Sequence, residues 1–411
     1  YRPRGNDEWS FGTDIGWGDD PAEAALDLLK DLALKVRFLE YGRQLEDPFY
    51  IKLGNLNTMT LGHGILMRNY ANDQDFPAVR RIGFNLGVTG ERSGFEVIAN
   101  DLADPSVVGA RLFFFPVPGF PLSLGAQAVA DFFPARELVD PSLVGDPIFL
   151  GLGLDLSLPI LRRGELLGLR WFAEGAAAAP YIRDAFGAVE PGLQTDLVWS
   201  DDGLRNWGAA TGLIGNVAFI DWRLEFRYFT GAFRPALFDS AYERRKGYYA
   251  QEYADYLTNP GDYDAAPNVM GIYGEGGFAF LREKLTLDIG YFWPWSPGAP
   301  SLAAIADEDY FVARLVIQKG LIPVLDIHGH ISYEKRGLAR DLFWDGDFVL
   351  LDANTTLRGE VVMPVPGTPN LDLAVGFSTS ARRDGNGDIV YVSPGIPEMV
   401  PVITLSTRLN F

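Results

Sequence analysis

Residues Phe219–Thr230 read FIDWRLEFRYFT. Side chains of an extended strand alternate between its two faces. Ile220, Trp222, Leu224, Phe226 and Tyr228 therefore share one face, and Asp221, Arg223, Glu225 and Arg227 share the other. The first face is wholly apolar and aromatic; the second is a ladder of alternating charge. A strand so built requires an apolar medium on one side and a wet or charge-neutralising one on the other.

The same alternation recurs along most of the chain. Ile82, Phe84, Leu86 and Val88 oppose Arg81, Gly83, Asn85 and Gly87; Leu371, Leu373, Val375 and Phe377 oppose Asp372, Gly376 and Ser378. Strands are predicted at 34–42, 48–55, 59–67, 79–89, 94–101, 106–116, 121–132, 148–158, 166–178, 205–216, 219–230, 268–280, 285–293, 309–318, 322–333, 348–362, 370–381 and 400–411. Connections alternate between short and long, and counting back from the C-terminus puts all the short ones at one end, as in outer-membrane barrels. The expected fold is all-β: a closed antiparallel transmembrane β-barrel of about 16–18 strands. Residues 33–411 form it, and 1–32 form an N-terminal segment, periplasmic or lumenal, with a further strand over Trp9–Trp17 and a short helix over 21–32, PAEAALDLLKDL.

Composition narrows the function. The net charge of −19 in 411 residues argues against a nucleic-acid partner, which needs clustered Lys and Arg. Cys is absent, which suits a cell-envelope protein without disulfides. Leu112–Ala130 carries no charge and is long enough for a helical span, but Pro116, Pro118 and Pro121 interrupt it, and each proline breaks a helix by roughly 3 kcal/mol. Two strands joined by a PVPGFP turn fit instead. The start, YRPRGNDEW, has no apolar export signal, so a chain whose signal has been removed is expected.

A soluble β-sandwich alternates in the same way. Three features favour the membrane: opposite charges paired on the polar faces, aromatics near strand ends (Tyr228, Phe229, Tyr291, Phe292, Trp293 and Trp295), and the terminal stretch VPVITLSTRLNF. In that stretch Ile403, Leu405, Thr407, Leu409 and Phe411 alternate, and the final residue is Phe. It resembles the last strand of bacterial outer-membrane β-barrel proteins, porins among them. The resemblance covers a dozen residues and departs from the fullest form of the signal at Ser406, where glycine is often found. It implies an outer-membrane location, contact with membrane lipid, and recognition by the barrel-assembly machinery through Leu409 and Phe411. A homotrimer is an arrangement it allows by analogy, with Gly- and Ala-rich 205–216 as a contact face.

The face assignment puts Arg81, Arg111, Asp221, Arg223, Glu225, Arg227, Arg314, Asp326, His328, His330, Arg358 and Glu360 toward the lumen, where mixed charges set a transverse field. The longest loop, 231–267, contains a candidate helix over Tyr242–Leu257; Arg244, Arg245, Tyr248, Tyr249 and Tyr253 are its candidate constriction residues. Asp326, His328 and His330 lie at i, i+2 and i+4, a spacing able to reach a metal, but inward polar residues are the default in a barrel. Asp384–Asp388 resembles the start of a calcium loop but lacks the later ligands. No G-x-S-x-G element accompanies the isolated His63, whose flanking Gly62 and Gly64 suggest close packing within a strand. The expectation is a porin-like channel for small hydrophilic solutes or ions, with no catalytic residues, metal or cofactor. The alternatives are a substrate-specific or lipid-handling barrel plugged by its own loops, and a surface-exposed binding barrel.

Overall fold

The structure, a computed structural model, describes residues 38–409 except 73–80, 260–267, 298–307, 322–325, 343–348, 385–389 and scattered one- or two-residue positions. The expected N-terminal strand and helix, most of the Asp384–Asp388 turn, and Phe411 lie outside the described residues.

Seventeen strands succeed one another: β1 Phe38–Tyr41, β2 Phe49–Gly54, β3 Gly83–Thr89, β4 Ser93–Ala99, β5 Val107–Phe114, β6 Ser123–Asp131, β7 Pro147–Arg163, β8 Leu167–Ile182, β9 Trp207–Val217, β10 Ile220–Phe229, β11 Val269–Phe280, β12 Leu285–Trp295, β13 Tyr310–Ile317, β14 His328–Arg336, β15 Thr355–Pro364, β16 Leu371–Ala381 and β17 Met399–Leu409. Each pairs antiparallel with the next, and the two-residue strand Gly192–Leu193, added to β8, makes the sheet eighteen-stranded. One long helix, α1, spans Tyr242–Thr258. The chain is thus mostly antiparallel β in one large sheet.

The sheet curls around α1. Tyr242 donates its hydroxyl to Asp131 on β6 at 2.8 Å. Two residues on, Arg244 donates to the Thr379 hydroxyl on β16 at 2.7 Å. Strands so far apart in the meander meet one turn of helix only if the sheet wraps it. A pairing of β17 with β1 is not among the described ones.

Register and exposure together separate the two faces of the sheet. Leu112, Ala126, Leu154 and Gly175 stand side by side on β5 to β8, and Leu152 opposes Ala128 and Ala177. Leu112, Leu152 and Leu154 are 66–68% exposed, while the alternating Arg111, Gln127, Asp155 and Glu174 are buried. On β10, Leu224 and Phe226 are exposed and Glu225 and Arg227 buried. Apolar side chains pointing out and charged ones pointing in is the inverse of a soluble fold. Replacing Leu154 with Arg is expected to destabilise insertion by about 2–4 kcal/mol, read as a denaturant titration in lipid vesicles; Ser157→Arg, on the inner side, serves as contrast. An unchanged midpoint for Leu154→Arg would mean that this face meets no hydrocarbon.

Three expectations are corrected. Residues 59–67 are not a wall strand. They lie inside the sheet, because Gly62 and Gly64 take positive φ values of 62° and 105° and turn the chain back, with Met59 bridging Tyr70. Asp326 lies before β14 rather than on it, with φ 48°, paired to Lys319 at 3.3 Å; residues 322–325 of the expected strand lie outside the described residues. Phe229 and Phe292 point inward and are buried, leaving Trp293, 68% exposed, as an outer aromatic.

The long connections, including those after β2 and β10, leave from one end of the sheet and the short turns from the other.

Candidate functional site

Two of the long connections fold back into the curled sheet. The first runs from Leu56 to Asn72. Its Leu56, Leu61, Met67 and Tyr70 are fully buried, and its tip is held by one wall carboxylate. Glu174 on β8 accepts the backbone N–H of His63 at 2.5 Å and of Ile65 at 2.9 Å. Gly62 permits this closeness: a Cβ there would stand 2.9 Å from Glu174 Oε1. The His63 ring stacks on Phe172, with centroids 4.6 Å apart. Burial, helped by the Arg223 and Arg111 charges, lowers the His63 pKa to about 3, so the ring is neutral at physiological pH and serves packing.

Glu225 is the node beside that tip. It accepts from Arg223 Nε at 2.6 Å and from Arg227 Nε, and Arg68 Nη1 lies 3.5 Å away. Arg68, from the inner segment, also donates to Glu275 at 2.6 Å. Arg68 and Arg227 lie over the Tyr273 ring at 4.3 and 4.6 Å, and Arg223 donates to the His63 carbonyl at 2.6 Å. Nearer β4, Arg111 makes a two-pronged contact with Asp155 at 2.7 and 2.9 Å and reaches Glu96 at 3.2 Å.

The second inserted connection carries α1. Its Tyr242, Tyr249, Tyr253 and Ala250 recur at helical spacing and are buried. Glu243 accepts from Tyr70 at 2.5 Å and Asn100 at 3.2 Å, and Lys246 and Arg81 stand 3.1 and 3.5 Å from it. Arg245 lies over Tyr248 and Tyr249 at 5.5 and 4.9 Å, and Tyr253 accepts from Asn206 at 3.2 Å. The expected constriction helix therefore lies inside the curled sheet, packed against its wall.

Burial pushes the Glu243 pKa up, but Lys246 and Arg81 pull it down to about 2, against 4.5 ordinarily. A depressed carboxyl stabilises the fold above its unfolded pKa, and that contribution is lost as pH falls through the folded one. The hold on α1 is thus expected intact at about pH 5 and lost between about pH 4.5 and 2. Hydrogen exchange of the α1 amides measures it; protection unchanged down to about pH 2 would refute the clamp.

The other expected wall residues sit at the edges of this network. Arg314 pairs with Glu334 at 3.2 Å. His330 and Glu360 face each other across β14 and β15, as do Ser332 and Arg358. Asp221 remains exposed on the inner side toward the short turns, and Asp288 and Arg314 are partly exposed there. Among the described residues no group of three or more His, Asp or Glu could hold a metal. Sequence reading missed Glu174, Arg68 and Glu243. Glu174 was open to detection as the single charge within WFAEGAAAA; Arg68 and Glu243 act through contacts 207 and 173 residues away in sequence.

No protein-family model and no curated protein matches this sequence. Among solved structures, CdiB from Escherichia coli matches at 11% identity with a TM-score of 0.40, over 90% of this chain and 63% of its own. The chain thus spans less than two thirds of that protein, a likeness too slight to transfer a role.

Proposed function

We propose that this protein is an outer-membrane β-barrel that passes small hydrophilic solutes or ions and is closed at rest by its own inserted segments. One observation carries the reading: Glu96, Arg111, Asp155, Glu174, Glu225 and Arg227, which an open lumen would bathe in water, are each at most 6% exposed beneath residues 56–72 and α1. Once the segments that these charges hold are withdrawn, the charges would line the interior, and a sheet of this width leaves an aqueous channel when emptied. The mixed inner charges suit polar solutes, and the network that ties both segments to the wall supports the plugged alternative over a permanently open porin.

Planar-bilayer recording of the purified, folded protein tests this. Long closed periods broken by brief openings are expected. Steady conductance of porin size from the first insertion would overturn closure; complete silence under voltage, acid and urea alike would overturn passage.

A further inference from the structure

Helix α1 uses only part of its circumference to hold the inner network. Tyr242, Glu243, Lys246, Tyr249 and Tyr253 are buried, whereas Arg245, Tyr248, Glu252 and Tyr256 are half-buried. At about 100° per residue these four fall within an arc of about 80°, on the side of the helix away from Glu243. The helix lies at the long-connection end of the sheet, because Tyr242 meets Asp131 where β6 ends and Tyr253 meets Asn206 just before β9 begins. Its open stripe therefore belongs to that mouth. Tyr248 and Tyr256 stand two turns apart on it, about 12 Å along the axis.

Other connections complete the patch. Arg234, following β10, donates to Glu252 at 2.9 Å and stands 3.5 Å from Glu308, which precedes β13. Arg245 lies over the Tyr248 and Tyr249 rings and makes no hydrogen bond or ion pair with the described residues. Arg234 and Arg245 balance Glu252 and Glu308, so these four side chains carry no net charge in a chain of −19. That balance selects a ligand. A lone ion would need a surplus of the opposite sign, and a wholly apolar molecule would cover the charged groups without pairing them. A neutral saccharide meets both demands. Its hydroxyls accept from Arg245 and donate to the carboxylate oxygens of Glu252 and Glu308, while the C–H face of a ring lies on a tyrosine. Ring faces joined to a few fixed polar groups are the usual make-up of small-molecule sites, and the separation of the two tyrosines suits a disaccharide.

We propose that this stripe, Tyr248 and Tyr256 with Arg245, Glu252 and Glu308, binds a neutral saccharide, and that such saccharides are the solutes the barrel admits. The second half rests on the proposed passage of solutes; the first does not. The test titrates the whole folded protein, in micelles of a detergent without a sugar headgroup, with maltose, cellobiose, lactose and sucrose, and with glucuronate as the anionic comparison. Saturation-transfer NMR observed on the sugar reads the binding. At least one of the four disaccharides is expected to bind wild type with a millimolar Kd. Tyr248→Ala and Tyr256→Ala should each weaken that binding about ten-fold, and Tyr256→Phe, which keeps the ring face, should stay near wild type. Wild type that binds none of the four, or binds glucuronate alone, overturns the site. So does equal affinity in wild type and in the folded double variant Tyr248→Ala/Tyr256→Ala. Should the alanine variants fail to fold, Arg245→Gln, which removes a guanidinium without a protein partner, decides instead: unchanged affinity overturns the site. Liposome swelling keeps the two halves apart. A disaccharide that binds but never enters sinks passage and leaves the site, whereas entry without binding sinks the site and leaves passage.

Discussion

Replacing residues 236–259 with a short Gly-Ser linker is expected to raise single-channel conductance several-fold, and shortening 57–71 as well should bring the rise to about ten-fold or more. The two segments fill different parts of the interior. Residues 56–72 sit against β8, β10 and β11 through Glu174, Glu225 and Glu275. Helix α1 bridges β6 and β16 through Asp131 and Thr379. The segments also bond to each other, Tyr70 to Glu243 at 2.5 Å and the Arg68 N–H to the Phe238 carbonyl at 3.1 Å. Removing one therefore loosens the other while its wall contacts remain, and each single change opens part of the bore. Neither segment contributes to the pairing ladder among the described strands, and shortening a surface-anchored connection costs little chain entropy. The sheet is therefore expected to persist, checked by its heat-dependent shift in gel mobility. Normal folding of the doubly shortened protein with unchanged conductance would refute self-closure.

Replacing Glu225 with Ala is expected to cost about 3–5 kcal/mol, because it leaves buried cations without their counter-charge. Arg223, Arg227 and Arg68 all converge on that carboxylate, and Glu275 remains as partner for Arg68 alone. Unfolding by urea in lipid vesicles measures the loss. The neighbouring Leu224→Ala, one residue along on the outer face and 51% exposed, removes no buried partner and should cost far less. A loss under about 1 kcal/mol for Glu225→Ala would mean that water, not protein, surrounds the three arginines. Because the arginines also stack on Tyr273 and Phe172, the damage should extend to the inner segment, seen as new protease cleavage near Arg68.

The wall of this protein was legible in its sequence because a period of two needs only neighbours to be read. Phe219–Thr230 announced both its faces, and β10 places Leu224 and Phe226 outside and Glu225 and Arg227 inside. The short and long connections were legible for the same local reason. Residues 59–67 show where that logic stops. Met59, Leu61, His63, Ile65 and Met67 alternate like a wall strand, yet the two glycines beside His63 and the distant carboxylate of Glu174 draw them inside. The helix at Tyr242–Thr258 was readable from its spacing, but its burial was not. That depends on Asp131, Tyr70, Asn100 and Thr379, each more than a hundred residues away. Local alternation sets which way a side chain points along a strand; only long-range pairing decides whether it meets water, lipid or another part of the same chain. The sequence by itself thus determined a sheet greasy outside and charged within, and the tertiary structure alone decided that the charged side is filled, because ion pairs between distant segments can form only once the sheet has curled around them.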